Sequence, residues 1–155
     1  MNSYISIKSY VKCGEAYIDF FDFTGPVKDP DYIDGALELS VNGVNLIDKS
    51  MYDYIDDLWS YLAEGLSIVS KGHAFKTYFP DQPIEVNLVP DKNTILVSVN
   101  CNAEVKVSVN KDDFLIAMAE HAKKFFEHLK LIVPSSDKSS ELSISYLNDI
   151  LMKRH

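Results

Sequence analysis

Asp56 and Asp57 stand three and four residues after Asp53. That spacing puts the three carboxylates on one side of a helix. Carboxylates so grouped can serve acid–base catalysis or hold a hard cation. They also fit the first turns of a helix, where the backbone dipole favours negative charge. Capping and surface charge account for them without chemistry.

The other reactive residues are scattered. His121 and His128 share a predicted helix but lie seven residues apart, whereas two ligands on one helix reach a single zinc at spacings of three or four. His121 reads as a histidine at the edge of the core and His128 as a surface one. His73 follows Gly72 in a turn, and His155 is the last residue. Cys13 and Cys101 flank no CxxC and read as separate thiols. No serine sits in a GxSxG elbow, and the six glycines form no phosphate-cradling loop. The DPDYID stretch has neither the central glycine nor the terminal glutamate of a calcium loop. No catalytic, cofactor-binding or metal-ligating residue is assigned, and the chain is expected not to be an enzyme.

Charge is the stronger signal. The net charge is −8, and residues 15–64 hold twelve carboxylates against Lys28 and Lys49, a local charge of −10. Residues 65–155 are balanced. Such a segment repels nucleic acid and anionic lipid and attracts a basic partner; it also keeps a protein in solution. Tyr32, Tyr52, Tyr54, Trp59 and Tyr61 lie in the same segment. Trp59, beside Leu58, reads as core. Tyr32 and Tyr54 read as exposed, and tyrosine is a favoured interface anchor. The expected contact set is Asp29, Asp31, Tyr32, Asp34, Asp53, Tyr54, Asp56 and Asp57.

The elements that must carry these residues follow from periodicity. A chain of 155 residues fits one domain, taken as residues 1–155. Tyr4–Val11 and Ala16–Thr24 read as strands, the second with broken alternation. Gly25–Gly35 (GPVKDPDYIDG) is a loop, and loops on rigid scaffolds often carry function. Asn42-Gly43 between Leu37–Val41 and Val44–Ile47 predicts a tight hairpin. Ser50 and Asp53 read as the capping start of a helix that Gly72 stops. Phe75–Phe79, Ile84–Leu88, Ile95–Val99 and Val105–Val109 read as antiparallel strands, with Val97, Val99, Val105 and Val107 facing a core. Asn110 and Asp113 cap a second helix, and Leu142–Leu151 describe a third. The expected fold is α+β, a mainly antiparallel sheet of about six to eight strands with three helices on one face.

In size, acidity and α+β character the chain resembles bacterial immunity proteins, small acidic domains that block a cognate toxin in the producing cell. The resemblance lies in overall character and rests on no motif. It implies a basic protein partner, a nuclease toxin among the cases, and no cofactor. The alternatives are a regulatory or adaptor protein, homodimeric through a sheet edge, and a ligand-binding α+β domain whose site assembles only in space. The N-terminus, MNSYISIKSYV, lacks a basic start followed by an apolar run, and no stretch approaches the roughly 18 apolar residues of a membrane span. Cytoplasmic residence is therefore expected.

Overall fold

The computed structural model describes residues 3–153. Its class is α+β, with antiparallel strands and three helices. The strands divide between two sheets where the sequence reading has one. β1 (Ile5–Cys13), β2 (Ala16–Asp19), β3 (Asp34–Val41), β4 (Val44–Ile47) and the two-residue β5 (Asp53–Tyr54) form the first, with β5 paired to the start of β3. β6 (Phe75–Tyr78), β7 (Glu85–Asp91), β8 (Thr94–Cys101) and β9 (Ala103–Asn110) form a meander, the second sheet. β4 lies beside β8 and β9, but no ladder joins the sheets.

The helices are α1 (Ile55–Ser70), α2 (Lys111–Ile132) and α3 (Asp137–Met152). α1 and α2 lie on strands of both sheets, and α3 packs on α1 and α2. One core joins all of these layers. Its largest enclosed side chains include Trp59, Phe20, Phe114, Phe125 and Phe126. Phe20 and Phe125 stack with ring centroids 4.1 Å apart, tying the segment after β2 to α2. α1 presses closely on β6, because a methyl group at Gly65 would lie 2.2 Å from the Phe75 ring.

Local signals explain most of the boundaries. Asn42 and Gly43 both take positive φ, 51° and 84°, as a type I′ hairpin turn needs. Gly72, at φ 91°, ends α1 while its N–H and that of His73 return to Val69 and Ile68. The Asn110 side chain accepts the Asp113 N–H at 2.9 Å, capping α2.

Two boundaries and one buried face differ from expectation. β2 stops at Asp19, whose carboxylate accepts the Phe21 N–H and starts a 3-10 turn over Phe20–Asp22. Broken alternation in that stretch marked this turn. The Ser50–Asp53 capping box does not form. Asp48 caps a 3-10 turn at Lys49–Met51, Asp53 pairs with Gly35 in β5, and α1 begins only at Ile55. Along β9, Val107 is half-buried and Val105 is 38% exposed. β9 is the last strand of its sheet, so its N-terminal half extends past the core that encloses Val97 and Val99.

Candidate functional site

Part of the acidic segment, residues 29–34 and 53–57, gathers around the N-terminus of α1. The loop before β3 reaches it through two bonds. Ile55 N–H donates to the Ile33 carbonyl at 2.9 Å, and Ile33 N–H donates to Asp56 Oδ1 at 3.2 Å. Ile33 is itself buried, which pins the end of the loop against the helix. Asp29 shapes the loop's turn: its carboxylate accepts the Asp31 N–H and its carbonyl accepts the Tyr32 N–H. Asp34 then pairs with Tyr54 across β3 and β5. The outcome is a Tyr32–Tyr54 ring pair, centroids 5.1 Å apart, with Tyr32 55% exposed.

Asp53 plays a different part from the one expected of it. It is only 7% exposed, so it contributes no surface carboxylate. Its oxygens accept the Asp81 N–H at 3.1 Å and the Gln82 N–H at 2.8 Å. The Gln82 side chain returns a bond to the Tyr52 carbonyl. These bonds hold the Pro80–Pro83 turn against β5 and bring the exposed Asp81 to the tyrosine pair. Asp81 lies outside the acidic segment of the sequence. A Pro-Asp-Gln-Pro turn signal locates a turn and says nothing of what it docks on.

The eight expected contact residues thus separate by burial. Asp29, Asp31, Tyr32 and Asp34 are exposed; Tyr54, Asp56 and Asp57 are half-buried; Asp53 is enclosed. The electrostatics record their proximity. The Asp81 carboxylate, then partial burial, then Asp34 and Asp53 push the Tyr54 hydroxyl up from its ordinary value. Burial, followed by the charges of Asp53 and Asp31, raises the Asp57 carboxyl. Burial lifts Asp56 to about 6, against the Ile33 N–H bond that favours its ionised form. None of Asp29, Asp31, Asp34, Asp57 and Asp81 forms an ion pair among the described residues. Beside this region lies a cavity of about 300 Å³ lined by Val11, Phe23, Pro26, Val27, Tyr32 and Ile33, with Lys12, Lys28, Asp29 and Asp34 also at its walls.

One buried polar cluster lies elsewhere. Trp59 Nε1–H donates to Ser9 Oγ at 2.9 Å, and Ser9 Oγ lies 2.8 Å from His121 Nε2. Ser9 Oγ accepts the indole proton and keeps a second lone pair and its own proton, so it meets His121 Nε2 as donor or acceptor according to the imidazole tautomer. Burial holds His121 down at about 4, with Asp19 opposing and Lys124 reinforcing that shift. Serine and histidine at this distance match a nucleophile and its base. Ser9 is only 1% exposed and bonded on both sides, and it lines neither cavity. The cluster satisfies three polar groups inside the core.

His128 bonds the Phe23 carbonyl at 2.7 Å. Both cysteines are free thiols. Among the described residues no group of three or more His, Cys, Asp or Glu side chains is arranged to hold a metal ion, and no helix is long and apolar enough to cross a membrane. No protein-family model, curated protein or solved structure matches the chain.

Proposed function

We propose that the chain is a protein-binding domain whose partner is basic, and that the surface around Tyr32 and Tyr54 is the contact. The observation that carries this reading is the convergence of Asp31, Asp34, Asp57 and Asp81 on a half-exposed tyrosine pair, with no ion pair to any of these carboxylates. Uncompensated like charges cost the free protein free energy. A cationic partner relieves that repulsion, and it is drawn in faster at low salt. The tyrosines supply apolar area with little conformational freedom to lose. The neighbouring 300 Å³ cavity has the volume to receive one apolar side chain.

Within this reading, the partner class that best fits an acidic contact is a basic toxin such as a nuclease, with the chain acting as its immunity protein in the cytoplasm. The experiment is co-purification with the basic product of the adjoining gene, followed by titration against wild type and a D31N/D34N/D57N/D81N variant. Binding weakened at least about tenfold, roughly 1.4 kcal/mol or more, supports the surface. Equal affinity for both proteins contradicts it.

A further inference from the structure

Three lysines far apart in sequence, Lys92, Lys111 and Lys153, meet at a groove of about 460 Å³. Lys92 lies in the β7–β8 turn, Lys111 opens α2, and Lys153 follows α3. None of them forms an ion pair among the described residues. Asp112 is the one carboxylate among the lining residues, so the charge at the groove is +2 within a chain of −8. The half-buried Ile116, with the edges of Leu115 and Ile150, each 5% exposed, supplies a small apolar floor.

The walls are held in place. Lys111 N–H donates to the Asn93 carbonyl at 2.7 Å, locking the turn to the start of α2. Asn110 Oδ1 is committed to the Asp113 N–H, which leaves its amide N–H donors free of that cap. Ser70, at the other end of α1 from the tyrosine pair, closes one side. A helix of 16 residues spans about 24 Å, so this groove and the acidic surface are separate places on the molecule.

We infer that this groove is a binding site for a small anionic amphiphile, a carboxylate or phosphate monoester with a short apolar body. The lysines would take the anionic oxygens and Leu115, Ile116 and Ile150 the hydrocarbon. The volume lies in the range of small-molecule sites, and the polar majority of the lining, three lysines among it, suits a charged head group more than a large apolar body. A purely polar anion would leave the apolar floor unused. A cationic amphiphile would meet the lysines.

The test is titration of the whole chain, followed by heteronuclear NMR, with hexyl phosphate, hexanoate, inorganic phosphate and hexyltrimethylammonium. Saturable binding of hexyl phosphate or hexanoate is expected, with shifts at Leu115, Ile116 and Ile150. The stronger of the two identifies the head group. Inorganic phosphate should bind at least about tenfold more weakly than hexyl phosphate, since burying several methylenes adds more than 1.4 kcal/mol. A K92Q/K111Q variant should lose about tenfold, K92R/K111R should retain binding, and D31N/D57N should leave it unchanged. The inference is overturned if neither amphiphilic anion saturates, if the ammonium compound binds as well, if inorganic phosphate matches hexyl phosphate, or if K92Q/K111Q, melting as wild type does, binds like wild type.

Discussion

The buried carboxylate of Asp53 accepts the backbone N–H of Gln82 at 2.8 Å, across 29 residues of sequence. With the two bonds from Asp81 N–H, this joins β5 to the Pro80–Pro83 turn. An acidic residue expected to meet a partner instead positions another acidic residue to do so.

Asp53→Ala should therefore act on stability and on the surface together. It strands three backbone donors, the N–H groups of Tyr54, Asp81 and Gln82, that now bond a charged acceptor, a loss of about 2–4 kcal/mol. The denaturation midpoint should fall accordingly. Asp53→Asn, which keeps one oxygen acceptor, should fall less. In both variants amide exchange at Asp81 and Gln82 should quicken more than exchange in β8. Unchanged protection at Asp81 and Gln82 in the alanine variant would show that the turn is held by other contacts.

Two half-buried groups pull stability in opposite directions over one pH range. Asp56 is raised from 3.8 to about 6 by burial, so the stability tied to its neutral form is present below about pH 4 and lost as pH rises through 6. His121 is depressed from 6.5 to about 4 by burial, so the stability tied to its neutral form is present above about 6.5 and lost as pH falls through 4. The two slopes offset each other, and wild type should show a shallow profile between pH 4 and 6. Asp56→Asn keeps an acceptor for the Ile33 N–H and removes the Asp56 slope. Its stability should climb with pH across that window and exceed wild type at pH 7 by about 1–3 kcal/mol. Parallel profiles for the two proteins would contradict this.

Trp59 is the single tryptophan of the chain, and its ring centroid lies 5.4 Å from that of His121. A protonated imidazole quenches an excited indole at such range. Native-state fluorescence should drop with a midpoint near pH 4, while far-UV circular dichroism still reports the fold. The transition should vanish in His121→Gln. A midpoint near 6.5 would mean that His121 is solvated and contradict its burial.

Much of the architecture is legible in the residues because its signals are local. Asn42-Gly43, Gly72 and the Asn110 cap each act within a few residues. The alternation of Ile95, Val97 and Val99 needs only its own strand. The division into two sheets is not legible, since nothing in β4 or β9 states whether their edges will pair. The candidate surface was half visible. Charge and tyrosine content mark Asp31, Tyr32, Asp34 and Asp57 as a group. The burial of Asp53 and the arrival of Asp81 depend on a contact between segments 28 residues apart. The three lysines of the groove, spread over 61 residues of a segment with no net charge, carry no sequence signal at all.

A basic partner should bind more weakly as pH falls. Asp56, held at about 6, and the raised Asp57 take up protons early, and a cation beside them favours the ionised forms. Association should therefore release protons near pH 6, measurable as a buffer-dependent heat in calorimetry. Affinity independent of pH between 5 and 7 would place the contact away from these two carboxylates.

The most direct test is the hydrogen-exchange footprint of the complex with the basic product of the adjoining gene, read peptide by peptide against the free chain. Protection on binding is expected in residues 25–35, 52–57 and 80–83, the three segments that meet at Tyr32 and Tyr54, and it should weaken as salt rises. Protection confined to residues 92–93, 110–116 and 150–153, or to the outer face of the second sheet, would contradict the assignment of the acidic tyrosine surface as the binding site.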